Sequence, residues 1–137
     1  MVAKPVLQAL VLADNVYQDG RTGKMVIAGT FSKLWATQFP AKLGRTTQAY
    51  ICLTELQGSV TLSLRYLDLQ TNELLLKSPD IVVNSENPLA TVQLVTEVPP
   101  FPMPHEGFYV FELLAGDEPL GSLRIEVGKR KGEADGR

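Results

Sequence analysis

Residues 99–113 read PPFPMPHEGFYVFEL, and the second half of this stretch decides the fold. In GFYVFEL, Tyr109 and Phe111 are two residues apart, so they share one face of a strand. A tyrosine two residues before a core position, near the start of the penultimate strand, is typical of the tyrosine corner in immunoglobulin-like sandwiches. Gly107-x-Tyr109-x-Phe111 has this spacing, with Phe111 in the core position, and the glycine allows the corner backbone to approach closely. The stretch therefore predicts an immunoglobulin-like sandwich.

Four of the nine prolines of the chain lie just before this strand. Because proline lacks the N–H that a ladder needs, they predict a stiff crossing between two sheets that does not pair as an edge strand. A polyproline ligand is the alternative, since Pro99-x-x-Pro102 fits the PxxP pattern, but the segment lies between strands and lacks basic flanks. His105, the single histidine, is predicted to be a solvated loop residue, with a general base or a metal ligand as the alternative.

The rest of the chain has a period of two, which is the signal of β-strands. Residues 46–56 and 59–69 alternate between apolar and polar side chains, as half-buried antiparallel strands do. With turn formers recurring between such runs, the sequence predicts an all-β, antiparallel two-sheet sandwich of about eight strands, one of them covering residues 24–36. We expect one sandwich domain over residues 1–127 and a charged, flexible tail over residues 128–137.

Composition and residue counts exclude several classes of function. The 13 basic and 15 acidic residues give a net charge of −2, which favours neither nucleic acid nor an anionic membrane as a partner. One cysteine and one histidine exclude an intrachain disulfide and leave too few ligands for a transition-metal site, so no metal or cofactor is expected. No apolar run approaches the length of a membrane span. The apolar N-terminus is shorter than a usual secretory signal and predicts a first β-strand, with a cleaved signal as the alternative. We expect a cytoplasmic protein that is not an enzyme, since the sequence lacks a catalytic constellation.

Several strands are apolar on both faces, which a two-layer sandwich does not need. Phe108 and Val110 lie on the face opposite Phe111, and residues 5–13 and 24–36 show the same two-sided pattern. Extra apolar surface is covered by a loop, by another subunit or by a ligand. The sequence therefore predicts a non-enzymatic protein that acts through protein–protein association, as a homo-oligomer or with another protein, with Phe108 and Val110 as the candidate interface.

The alternative is a module that binds a small ligand, for example a carbohydrate. Aromatic rings near loops are the side chains expected to contact such a ligand. The candidates are Tyr17, Trp35 and Phe101, with His105 beside them.

The order of short motifs also resembles an uncharacterised family of small bacterial proteins, a domain of unknown function. The motifs are Leu12-Ala13-Asp14, Thr22-Gly23-Lys24, Ile27-Ala28-Gly29-Thr30-Phe31, Trp35 to Pro40, Gly107-x-Tyr109-x-Phe111-x-Leu113, and Leu120-Gly121 to Val127. They span most of the chain but consist of structural residues. The resemblance therefore implies a small β-sandwich and a bacterial source, and it implies no catalytic residues.

Overall fold

Residues 4–131 are described by the computed structural model, and they form twelve β-strands and no helix. The strands are β1 (Val6–Gln18), β2 (Met25–Thr30), β3 (Lys33–Ala36), β4 (Ala41–Lys42), β5 (Thr47–Thr54), β6 (Gly58–Asp68), β7 (Leu74–Lys77), β8 (Ile81–Ser85), β9 (Val92–Val98), β10 (Pro102–Met103), β11 (Gly107–Ala115) and β12 (Glu118–Lys129).

Two main sheets form a sandwich. The four-stranded sheet has the order β2-β1-β5-β9, and the six-stranded sheet has the order β3-β12-β11-β6-β7, with β8 also paired to β6. The core lies between them, and it contains Ile51 and Leu53 from one sheet and Phe111 and Ile125 from the other. β5 alternates strictly between buried and half-buried residues along its eight positions, because one face of a strand meets the core and the other does not.

The tyrosine corner predicted from the sequence is present. The Tyr109 hydroxyl donates a hydrogen bond of 2.5 Å to the His105 carbonyl and accepts one of 3.1 Å from the His105 N–H. Gly107 has a φ of 148°, which a side chain would strain, so glycine suits this position of the corner. Behind the corner, the centre of the Phe111 ring lies 4.7 Å from the ring centre of Tyr66 and 5.3 Å from that of Phe101. The all-β, immunoglobulin-like sandwich prediction is confirmed.

The predicted number of strands, about eight, is wrong. Residues 24–36 form two strands, because the chain leaves the four-stranded sheet after Thr30 and enters the six-stranded sheet at Lys33. A continuous apolar pattern does not reveal such a crossing. The pairing is also not wholly antiparallel, since β3 runs parallel to β12. The remaining additional strands are short and escape a reading based on periodicity.

The proline segment is a crossing between strands, as predicted, but it does form a ladder. Pro102 pairs with Lys42 and Met103 with Ala41 in a two-residue antiparallel bridge, and the Leu43 N–H donates to the Phe101 carbonyl at 3.0 Å. Proline lacks an N–H but keeps its carbonyl oxygen, so Pro102 can still accept a hydrogen bond from the neighbouring strand.

The last strand extends beyond the predicted end of the domain. β12 continues to Lys129, and the Arg130 N–H donates to the Ala36 carbonyl at 2.8 Å. The start of the segment predicted as a tail is therefore part of the six-stranded sheet. Residues 132–137, the remainder of that tail, lie outside the described residues.

Candidate functional site

The outer face of the six-stranded sheet carries a group of apolar side chains. Val110 of β11 pairs with Leu67 of β6, which pairs in turn with Leu74 of β7. Residues opposite each other in a ladder project to the same face. The next pair is Phe108 and Leu69, joined by a hydrogen bond of 3.1 Å from the Leu69 N–H to the Phe108 carbonyl. Phe108 is 42% and Leu74 48% exposed. We call these residues the outer stripe: Leu67, Leu69, Leu74, Phe108 and Val110.

The structure places Phe108 and Val110 on the face opposite the core, as the alternation of β11 predicts. The leucines of the outer stripe were missed, because they come from strands whose order in the sheet is not visible in the sequence. The two-sided apolar pattern of residues 24–36 has a different cause from that of β11. Its apolar residues are divided between the two sheets and do not form two faces of one strand.

Charged residues border the outer stripe. The Arg124 guanidinium lies 5.8 Å from the centre of the Phe108 ring. Arg65 and Glu112 form an ion pair of 2.6 Å at one end of the stripe. Lys33 and Glu126 form a second pair, of 3.6 Å, toward β3. The stripe therefore has an apolar centre and a border with charges of both signs.

A groove of about 320 Å³ lies where the chain crosses from β2 to β3. We call it the cationic groove, and its lining consists of Asp14, Gly29, Thr30, Phe31, Lys33, Trp35, Arg45 and Arg130. Three side chains of this lining are basic and one is acidic, on a chain whose net charge is −2. Among the described residues, this lining therefore has more basic than acidic side chains.

Trp35 occupies one end of the cationic groove, on the outer face of β3. It pairs with Gly128, and a Cβ at Gly128 would lie 2.7 Å from Cζ3 of the indole. The ring therefore lies across the backbone of β12, where any residue with a side chain would displace it. Lys33 Nζ lies 4.3 Å and the Arg130 guanidinium 5.0 Å from the ring centre.

Of the three aromatic residues predicted to contact a ligand, the structure brings one to this groove. Phe101 is 0% exposed and packs in the core, so it is not placed to contact a ligand at the surface. Tyr17 is exposed near the end of β1 and is not part of the lining. Trp35 does line the groove, where it is joined by Phe31, which the sequence reasoning did not select.

His105 is not the solvated loop residue that we predicted. Its Nε2 lies 2.5 Å from Oδ2 of Asp68, which is 2% exposed, and its Nδ1 lies 2.8 Å from the Glu106 carbonyl oxygen. Both partners are acceptors, so the imidazole satisfies both contacts only when both nitrogens carry protons. The geometry therefore favours a protonated histidine paired with a buried carboxylate.

The pKa shifts agree with this arrangement. The hydrogen bond to Glu106 and then the bond to Asp68 raise the pKa of His105. Burial alone would raise the pKa of Asp68, but the His105 contact and the backbone amides of Gln70 and Thr71 outweigh it and lower that pKa. Neither ring nitrogen points to an open site, so His105 connects the tyrosine corner to the end of β6.

Residues 4–131 contain no group of three histidine, cysteine, aspartate or glutamate side chains that could hold a metal ion. The same residues contain no helix with the length and apolar character needed to cross a bilayer.

Comparisons with known proteins address the fold more than the chemistry. The model of the family of unknown function DUF6941 matches residues 8–128, which confirms the predicted resemblance to an uncharacterised family, while the bacterial source stays a prediction. No curated protein sequence matches the chain.

Solved structures with similar folds share little sequence with the chain. The C-terminal domain of wzt aligns with a TM-score of 0.50 at 14% identity, over 96% of this chain and 76% of that one. An immunoglobulin-like protein from Pseudomonas aeruginosa aligns with a TM-score of 0.43 at 16% identity, over 92% and 98% of the two chains. A β-glucosidase from Listeria innocua aligns with a TM-score of 0.47 at 10% identity, over 93% of this chain and 17% of the enzyme. Identities this low concern the fold alone.

Proposed function

This chain belongs to the DUF6941 family, and we propose that it is a non-enzymatic protein that acts by associating with a second copy of itself through the outer stripe. The observation that carries the proposal is the exposure of Phe108, Leu69 and Leu74 on one sheet face. Apolar side chains scattered singly over a surface need no explanation, whereas a contiguous group marks a place of interaction. The cytoplasmic location stays a prediction from the sequence.

The dimensions of the sheet suit such an interface. β11 contains nine residues, so the face is about 30 Å long at about 3.4 Å per residue. The path from β3 to β7 spans five strands, which at about 4.8 Å per spacing gives a width of about 19 Å. The flat area of the sheet face is therefore about 600 Å², and the side chains that project from it add further surface. This area is close to the roughly 800 Å² per partner of a standard interface.

The charges at the border of the outer stripe are compatible with a second copy of the same face as the partner. The Arg65–Glu112 and Lys33–Glu126 pairs give each face both signs, so two faces related by a two-fold axis can match positive to negative. Arg124 lies beside Phe108 on the same face and adds positive charge. Added salt strengthens apolar contact but screens the attraction between the matched charges, so its two effects on association oppose each other.

The test is the oligomeric state. Sedimentation velocity is measured between about 1 µM and about 1 mM, a range that covers association free energies from about −8 to −4 kcal/mol. We expect the mass to rise toward that of a dimer with concentration, and Phe108→Asp to return the protein to a monomer. Val95→Asp is the matched control, because Val95 is an exposed apolar residue of β9, in the other sheet.

A protein that stays monomeric over this whole range contradicts the proposal. Equal dissociation by Phe108→Asp and Val95→Asp, with both variants folded by circular dichroism, also contradicts it. In that case association occurs but does not use the outer stripe.

A further inference from the structure

β9 forms one edge of the four-stranded sheet, and its one ladder among the described residues is with β5. The register of that ladder is continuous, from Val98 opposite Thr47 to Val92 opposite Leu53. The strand contains no proline, and its single charged side chain, Glu97, is exposed. Native edge strands are usually protected by bulges, prolines, lysines or inward-pointing charges. Without such a device, β9 presents a row of N–H and C=O groups that an added strand can bond.

The sandwich is only partly closed along this side. Val92 and Leu94 of β9 pack against the core but stay half-buried. Leu75 and Leu76 of β7, in the edge strand of the six-stranded sheet, do the same. By contrast, Ile51 of the neighbouring β5 is 0% exposed. A strand added beside β9 would therefore remove apolar side chains of both sheets from water.

A slot opens between the two sheets where β7 and β9 end. We call it the side slot; its volume is about 50 Å³, and its lining includes the buried residues Tyr66, Val98 and Phe111. A pocket that encloses a whole small-molecule ligand measures roughly 300–1,000 Å³. The side slot therefore admits a single side chain rather than a free ligand.

Two hydroxyl groups in the lining of the side slot are already engaged by the protein. The Ser78 hydroxyl accepts a hydrogen bond of 2.9 Å from the Leu64 N–H and donates one of 3.0 Å to the Pro79 carbonyl. The Tyr66 hydroxyl donates to the Pro102 carbonyl at 2.8 Å. These residues therefore offer their hydrocarbon surface to an occupant, which favours an apolar side chain over a polar one.

We infer that β9 and the side slot bind an extended segment of a partner protein, which pairs with β9 as a fifth strand and inserts a small apolar side chain, such as alanine or valine, into the slot. Residues opposite each other in a ladder project to the same face, so the partner residue across from Val98 points toward the slot. In this mode of recognition, main-chain hydrogen bonds give affinity and the pocket gives specificity. Lys77 and Glu97 supply the lining with one charge of each sign, so the segment needs no net charge.

A second copy of this chain does not fit the same position through its β7 or β9 edge. The inward side chains of those strands already pack against its own core, so they cannot enter the side slot of another molecule. The occupant is therefore a segment that belongs to no sheet before it binds. The inference does not rest on the dimer proposed above, because β9 is in the four-stranded sheet and the outer stripe is on the six-stranded sheet.

The test uses a phage-displayed library of random heptapeptides, selected on the Phe108→Asp variant so that the outer stripe does not contribute. Selected peptides are synthesised, and amide hydrogen exchange of the protein is measured with and without them. We expect small apolar residues at alternate peptide positions, and exchange slowed by about tenfold or more at alternate amides of β9, those that β5 does not bond. β2, at the opposite edge of the same sheet, is the internal control and should exchange at an unchanged rate.

Substitutions separate the side slot from the strand edge. Leu76→Phe fills the slot and should weaken peptide binding by about tenfold or more, as the loss of one buried apolar side chain predicts. Leu75→Phe is the matched control, since Leu75 is also half-buried but does not line the slot. Thr96→Lys adds an inward-pointing charge to the edge without changing the slot lining, and it should abolish binding.

Four results would overturn the inference. The first is a library from which no peptide is enriched relative to selection on the Thr96→Lys variant. The second is a set of peptides that slow exchange outside β9, and the third is equal weakening of peptide binding by Leu76→Phe and Leu75→Phe. The fourth is slowed exchange at β9 that increases with protein concentration in the absence of peptide, because this result would assign the edge to a second copy.

Discussion

The contact between His105 and Asp68 predicts a specific pH dependence of stability. Removing the imidazole with His105→Ala leaves the buried Asp68 carboxylate without its cationic partner, although its hydrogen bond of 2.9 Å from the Gln70 N–H remains. Two ring hydrogen bonds are lost, one of them to a charged group, and about a third of the histidine side chain is exposed to water. We expect a loss of about 2 kcal/mol in the free energy of unfolding at pH 5.5.

The sign of the pH dependence follows from the raised pKa of His105. The folded state holds the proton more tightly than the unfolded state, whose histidine has an ordinary pKa of about 6.5. The stabilisation is therefore fully present below about pH 6.5 and is lost as the pH rises through the folded pKa. Above that pKa the neutral ring keeps one of its two donors, so the difference between wild type and His105→Ala should fall to about 1 kcal/mol.

Urea unfolding of the wild type and of His105→Ala, at intervals between pH 5.5 and pH 9, measures this difference. The chain has one histidine, so the wild-type histidine signal in NMR gives the folded pKa directly. Asp68→Asn should lower the pKa of His105 toward its ordinary value, whereas Asp80→Asn, at an exposed aspartate, should leave it unchanged. A difference in stability that stays constant across the pH range would refute the assignment of a protonated histidine.

Two further substitutions test the corner and the indole contact. Tyr109→Phe removes both hydrogen bonds to the His105 backbone and should cost about 1–3 kcal/mol, measured by urea unfolding, with an unchanged stability contradicting a tyrosine corner. Gly128→Ala places a methyl group against the Trp35 ring, so we expect a loss of about 1–3 kcal/mol and a shifted indole emission, and an unaltered emission spectrum would contradict the described contact.

The sequence predicts the features of the fold that depend on local pattern. The alternation of β5 identifies its buried face, and Gly107-x-Tyr109-x-Phe111 predicts a corner whose hydrogen bonds are then found in the structure. Both depend on residues a few positions apart, where the strand period fixes the direction of each side chain.

The rest depends on which distant segments become neighbours. Asp68 and His105 are 37 residues apart, and the sequence around either residue does not predict a contact with the other. The cationic groove combines residues from β1 and β2, from the loop before β5 and from both sides of the parallel β3–β12 ladder. Periodicity assigns each residue a face but gives no strand order, so Trp35 was the one residue of the groove that the sequence reasoning named as a ligand contact.

The parallel pairing of β3 with β12 has a consequence for the synthesis of the chain. β3 forms at residues 33–36, but its ladder partner is the last strand that the structure describes, which also supplies Ile125 and Val127 to the core. While a ribosome is still adding residues 118–129, β3 has no strand to pair with and one edge of β11 is open. The six-stranded sheet is therefore complete only after β12 has been translated. Until then, the unpaired edges of β3 and β11 are exposed to other chains.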